Sequence, residues 1–131
     1  MKRTTLLHAE LSEVIARLGH GDLLVIGDAG LPIPDGPRRI DLAVSAGVPR
    51  FQDVLAAVLA EMQVEGAVIA EEFAAANAGV HADVRRRLGQ TPISTVSHEA
   101  FKAATRGARA IVRTGEFSPY ANVILRAGVV F

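Results

Sequence analysis

The sequence has no cysteine, no tryptophan and only one tyrosine among its 131 residues. Without cysteine, the chain has no disulfides and no thiolate ligands for a metal. Its 14 basic residues balance 14 acidic ones, so no long-range field attracts nucleic acid or an anionic membrane. No apolar run approaches the ~20 residues of a membrane span, and the N-terminus lacks the apolar stretch of a signal peptide. We therefore expect a cytoplasmic protein without nucleic-acid or membrane partners.

Sequence motifs for cofactors and metals are also missing. No Gly-x-Gly-x-x-Gly follows a predicted strand, and no Gly-Lys-Ser/Thr is present. The segment "GDAG" contains no serine, so it is not a nucleophile elbow. The four histidines (His8, His20, His81 and His98) do not form pairs with metal-ligand spacing. We expect no cofactor and no metal.

Short apolar runs alternate with segments of helical periodicity. Leu11, Val14, Ile15 and Leu18 follow the helical pattern, and Gly19 has the position of a left-handed C-terminal cap. Apolar stripes predict further helices within 51–62 and 80–88, and Ser97 is predicted to cap a helix through Thr105. The predicted strands are Leu23–Gly27, Arg39–Val44, Gly66–Ala70, Pro92–Val96, Ala108–Val112 and Asn122–Phe131.

This alternation predicts a single α/β domain over residues 1–131, in three layers, with a mainly parallel central sheet flanked by helices. Arg39–Val44 is predicted to lie at an edge. The final strand runs to the terminus with no polar tail. Because an open apolar edge there would invite aggregation, we expect a neighbouring subunit to cover it.

Polar residues bracket the first predicted strand in "GHGDLLVIGDAGLPIP". Asp28 ends the strand, on the side where ligands collect in α/β sheets. His20 precedes the strand, up to ~26 Å from Asp28 if the chain is extended, so one strand does not bring the two residues together. His20 is a candidate acid–base or a capping residue, and Asp28 a candidate ligand or a turn residue.

The C-terminal third carries more polar candidates. His98 follows a strand in "SHEAFK", and the loop "TGEFSPYAN" offers the Tyr120 hydroxyl and the Asn122 amide, which suit the hydroxyls of a sugar. Alternatively, Tyr120 packs in the core and Asn122 caps a strand edge.

The chain closely resembles the D-ribose pyranases from end to end. The resemblance rests on residues 18–34, 39–72, 97–102 and 110–131, and it is weakest over Ala74–Gln90. It implies interconversion of the pyranose and furanose rings of D-ribose without cofactor or metal, beside ribose uptake. It implies His20 as the catalytic acid, and it implies that the sugar is held by Asp28, His98, Tyr120, Ala121 and Asn122.

The resemblance also implies a homo-oligomer, a decamer of two stacked pentameric rings with sugar sites between subunits. We expect Tyr120 and Asn122 to face the His20 of a neighbouring subunit. A histidine suits ring opening because its unperturbed pKa of ~6.5 lets it give or take a proton near neutral pH. Asp28 would then either orient His20 or accept hydroxyls of the sugar. Two alternatives stay open. One is an L-fucose mutarotase, although those relatives lack "GLPIP" and "RTGEFSPYAN". The other is a non-catalytic sugar-binding subunit of a ribose uptake system.

Overall fold

A six-stranded sheet organises the chain, and the computed structural model describes all 131 residues. The strands are β1 Leu23–Gly27, β2 Arg38–Asp41, β3 Val64–Ala70, β4 Ile93–Val96, β5 Ala110–Arg113 and β6 Val123–Ala127. The helices are α1 Ala9–Arg17, α2 Phe51–Leu59, α3 Phe73–Ala76, α4 Ala78–Leu88 and α5 His98–Ala104. A 3₁₀ turn, Thr105–Gly107, extends α5. No helix has the length and apolar character that crossing a membrane requires.

The strand order is β2-β5-β1-β6-β3-β4. The β1–β5, β2–β5 and β3–β4 pairs are parallel, whereas β6 runs antiparallel to both β1 and β3. The prediction of a mainly parallel sheet with the second strand at an edge is therefore confirmed. Because β6 runs the other way, it starts beside the carboxyl end of β1 and ends beside the start of β1.

Helices cover both faces of the sheet, which confirms the three layers. The inward side chains of α1, α2, α3 and α4 pack on one face in a large core that includes Leu24 and Ile26 of β1. On the opposite face, Phe101 of α5 packs on Val25, Ile111 and Ile124. The two cores use alternate residues of the same strands, because successive strand side chains point to opposite faces.

The end of the chain differs from the prediction. The last strand stops at Ala127 rather than Phe131, and Val130 and Phe131 are exposed. This strand does not need a neighbouring subunit to cover an edge, because β6 lies between β1 and β3 inside the sheet. The periodicity of an apolar segment gives no information about its place in the strand order, so the argument from an open edge was wrong.

The end of α1 also differs from the prediction. Leu18, in an extended conformation, caps the helix, and Gly19 is not left-handed. The left-handed glycine is Gly21, with φ of 85°. The hydrogen bond from Asp22 N–H to the Gly19 carbonyl (3.0 Å) closes a four-residue turn with Gly21 in its third place, where a type II turn requires positive φ. The glycine thus serves the turn that carries His20 rather than the helix.

Candidate functional site

Asp28 and Asn122 bind each other at the carboxyl end of β1. The Asn122 amide donates to Asp28 Oδ2 (2.9 Å), and the Asp28 backbone N–H donates to Asn122 Oδ1 (2.8 Å). The other carboxylate oxygen of Asp28 accepts from Gly30 N–H (2.9 Å). Asp28 therefore has the turn role that sequence left open, and its carboxylate is half-exposed and held in one orientation.

Gly27 makes the approach of Asn122 possible. A Cβ at Gly27 would lie 2.9 Å from Asn122 Oδ1 and 2.5 Å from Leu31 Cδ2. Asn122 itself is completely buried, so its amide needs partners inside the protein. The two bonds to Asp28 supply them.

Tyr120 and His98 meet on the same edge of the sheet. Their ring centroids are 5.0 Å apart at 86°, an edge-to-face contact. Tyr120 has a positive φ of 57°, rare for a bulky residue, and its carbonyl accepts from Asn122 N–H (2.8 Å). Ala121, between them, is fully buried and anchors this turn in the core. The turn directs Tyr120 towards His98 and Asn122 towards Asp28.

Glu72 holds the start of α5, where His98 lies. Both carboxylate oxygens of Glu72 accept from the His98 backbone N–H, at 2.9 and 3.2 Å, and Ser97 caps the helix as predicted by binding Ala100 N–H (3.1 Å). The imidazole Nδ1 of His98 is buried without a partner.

Two further residues shape the loop before Tyr120. Glu116 accepts from Ser118 Oγ (2.8 Å), from Ser118 N–H (3.2 Å) and from Phe51 N–H at the start of α2 (3.2 Å). Asn77 donates to Ser118 Oγ (2.8 Å) and to the Pro119 carbonyl (2.9 Å). Burial alone would raise the pKa of Glu116, but the hydrogen bonds from Ser118, Phe51 and Phe117 outweigh it and lower that pKa.

Sequence reasoning missed Glu72, Asn77 and Glu116. They come from three separate loops and helix starts, and no spacing links them to their partners. An open cleft of about 410 Å³ lies beside this loop, lined by residues 28–30, Arg113 and residues 116–119. Its volume is in the range of small-molecule sites, roughly 300–1,000 Å³. The cleft presents carboxylates and one guanidinium, which suit polyhydroxylated ligands.

The structure places His20 away from these residues. Asp28, His98, Tyr120 and Asn122 lie together at the carboxyl end of β1, whereas His20 lies in the turn before it. The six residue steps from Asp22 to Asp28 correspond to about 20 Å at strand rise. The imidazole is 58% exposed, and its Nε2 contacts Glu65 Oε2 at 2.7 Å. The expected separation is confirmed within one chain.

No group of three or more His, Cys, Asp or Glu side chains is placed to hold a metal ion. His81, the histidine of α4, packs edge-on against Phe73 with ring centroids 5.5 Å apart. Burial, together with the nearby Arg85 charge, lowers its pKa. His81 is therefore a packing residue of the α3–α4 region.

Comparison with known proteins assigns the family. The model of the RbsD / FucU transport protein family matches residues 1–130. Proteins named D-ribose pyranase from Symbiobacterium thermophilum and Paracidovorax citrulli are 60% and 63% identical, each over the whole of both chains. The chain belongs to the RbsD / FucU family.

Solved structures agree with this assignment. Bacillus subtilis RbsD, solved with D-ribose, is 46% identical over all of both chains, with a TM-score of 0.96. The fucose mutarotase of Streptococcus pneumoniae, solved with L-fucose, is 25% identical over all of both chains, with a TM-score of 0.82. The predicted family and fold class are confirmed.

Proposed function

We propose that this protein is a D-ribose pyranase, an isomerase that interconverts the β-pyranose and β-furanose forms of D-ribose. The observation that carries the proposal is the identity of 60–63% to proteins of that name over the full length of both chains. The lower identity to the fucose mutarotase, 25%, favours ribose over fucose. We keep the expected cytoplasmic location as part of the proposal.

Ring-size exchange is acid–base chemistry. The bond between C1 and the ring oxygen breaks, the ring oxygen takes a proton, and the anomeric hydroxyl loses its proton to become the aldehyde oxygen. Closure through a different hydroxyl reverses both transfers. We assign the first proton to His20 and the second to water. Asp28, His98, Tyr120, Ala121 and Asn122 then hold the sugar, and the reaction needs no cofactor or metal.

The site is completed by two subunits in this proposal. Catalysis requires the acid–base within hydrogen-bond reach of the sugar, whereas the strand β1 keeps His20 at the opposite end of the sheet from Asp28 and Asn122. A second copy removes this conflict if its His20 turn faces the edge that carries His98 and Tyr120. We propose a homo-oligomer on this ground, and the decamer of two stacked pentamers on the resemblance alone.

Exchange between ribose ring forms, followed by NMR, tests the activity. We expect substoichiometric protein to accelerate the exchange. The family description also names transport, and a sugar-binding transport subunit would instead shift populations in proportion to its own concentration. L-fucose is the second substrate in the same experiment. Faster exchange of L-fucose than of D-ribose would place the protein with the mutarotases.

Mixed oligomers test the shared site. His20→Ala and His98→Ala variants are each expected to keep only a small residual turnover. Both should fold, since His20 is exposed and the Glu72 bond at residue 98 uses only backbone N–H. After joint unfolding and refolding, about a quarter of clefts in a random equal mixture would combine two unmutated halves. Activity should return to that extent. Mixed oligomers that form, as seen by native mass spectrometry, yet stay inactive would contradict the shared site.

A further inference from the structure

The carboxylate beside His20 is Glu65, not Asp28. Glu65 Oε2 lies 2.7 Å from His20 Nε2, and Glu65 Oε1 lies 2.9 Å from Arg126 Nε. Asp28 occupies the other end of β1, where both its carboxylate oxygens bind Gly30 and Asn122. Within one chain, therefore, Glu65 is the acidic side chain that can orient the imidazole.

A β-bulge brings Glu65 to this position. In β3, Ala67 and Ile69 face the large core, and strict alternation would place residue 65 on that same face. Instead, the pairing of β3 with β6 shifts between Val64 and Gly66, so that Val64 opposes Ala127 and Gly66 opposes Arg126. Val64 packs against the core in place of Glu65. Bulges of this kind re-aim a side chain and are common beside active sites.

The partners on both sides of Glu65 are also fixed. Its carboxylate binds Arg126 of β6, and Leu23 and Val68, which line the same surface cleft, pack on the face opposite the large core. The His20 turn is closed by the Asp22-to-Gly19 hydrogen bond and tied to β6 by Gly21 N–H, which donates to the Ala127 carbonyl at 2.8 Å. The backbones that carry His20 and Glu65 are therefore both joined to β6.

We propose that Glu65 is the positioning residue for His20. A carboxylate only accepts hydrogen bonds, so it keeps the imidazole hydrogen on Nε2 and leaves Nδ1 as the nitrogen that exchanges a proton with the sugar ring oxygen. This inference rests on the proposed function, because it requires His20 to be the acid. A surface ion pair without this role would contribute little to stability and nothing to the reaction.

Ring-exchange kinetics of His20→Ala, Glu65→Gln and the double variant test the proposal. Glu65→Gln should lower the turnover of D-ribose about tenfold or more, part of the roughly 10²–10⁴-fold that a placed acid–base supplies, with little change in KM. In the His20→Ala background, Glu65→Gln should not lower the residual turnover further, because Glu65 acts through His20. Glu13→Gln, which removes a carboxylate of α1 from its ion pair with Arg38 of β2, is the matched control and should behave as wild type.

The outcomes separate the two proposals. Wild-type turnover in His20→Ala would overturn the assignment of His20 and this inference with it. Residual turnover in His20→Ala beside full turnover in Glu65→Gln would overturn the role of Glu65 alone. An equal loss of turnover from Glu65→Gln in the wild-type and the His20→Ala backgrounds would also overturn the role of Glu65. Glu65→Ala also removes the carboxylate, and we expect the same results from it. If Glu65→Gln does not fold, Glu65→Ala replaces it in the double-mutant cycle.

Discussion

The pair of hydrogen bonds between Asp28 and Asn122 allows a quantitative prediction. The fully buried Asn122 makes both bonds with its side chain, whereas Asp28 makes one with its side chain and one with its backbone. Asn122→Ala therefore removes both bonds. Asp28→Ala removes the bond from the Asn122 amide to Oδ2 and the bond from Gly30 N–H to Oδ1, but Gly30 is exposed and its N–H can bind water instead. We expect Asn122→Ala to cost more free energy of unfolding than Asp28→Ala.

The magnitudes follow from the charge and burial of the groups. The hydrogen bond from the Asn122 amide to the charged Asp28 carboxylate contributes about 1.5–3 kcal/mol. Asn122→Ala also leaves the Asp28 N–H without its acceptor, which adds a desolvation cost of about 1–3 kcal/mol. Asn122→Ala should lose roughly 2.5–6 kcal/mol, the two contributions together. Asp28→Ala should lose roughly 1–3 kcal/mol, because the buried amide keeps one of its two bonds.

Urea unfolding of the two single variants and the double variant measures these energies. All are compared at one protein concentration, because the stability of an oligomer depends on concentration. The double-mutant cycle should give a coupling of about 0.5–3 kcal/mol, the range for residues in direct contact. Equal costs for the two single variants, or a coupling near zero, would refute the assignment of these bonds.

Three further predictions concern neighbouring residues and the chemistry. A Cβ at Gly115 would collide with the Val48 carbonyl and lie 2.6 Å from the Ser45 carbonyl. Gly115→Ala should therefore lower the melting temperature. Gly79 has open space around it, so Gly79→Ala is the control and should not lower the melting temperature. The folded protein lowers the pKa of Glu116, so the stability from its ionised form is present above about pH 5 and is lost as pH falls. The unfolding free energies of wild type and Glu116→Gln should therefore converge on acidification, and a constant difference would contradict the linkage. EDTA should leave ribose ring exchange unchanged; loss on chelation and recovery with a divalent ion would show that a metal is required.

Local patterns predicted most elements because each depends on neighbouring residues. The strand Leu23–Gly27 has the predicted bounds, Ser97 caps α5 through its hydroxyl, and α4 ends at Leu88, where its predicted apolar stripe ends. The place of β6 in the sheet depends instead on pairings with β1 and β3, which lie far away in the sequence. Apolar periodicity carries no information on those pairings.

The candidate site was predictable only in part for the same reason. Asp28, His98, Tyr120 and Asn122 were identified, with the resemblance, and the structure brings them to one edge. Glu65 was missed because the bulge reverses the face that strand alternation assigns to it. The one signal in the sequence was Gly66, since a glycine within a strand often marks a bulge.

The strand β6 connects the two halves of the proposed site. It follows directly after Asn122 and ends with Arg126 and Ala127, which contact Glu65 and the His20 turn. Because β1 and β6 are paired and buried, the distance between the two halves is fixed. A site that joins opposite ends of two copies forms either in a closed two-fold dimer or through a heterologous contact, which gives a closed ring or an open filament. With the distance fixed in every copy, the rotation between neighbours is the same throughout, and a closed ring has a single size. We therefore expect one discrete mass by native mass spectrometry, and a series of lengths would contradict ring closure.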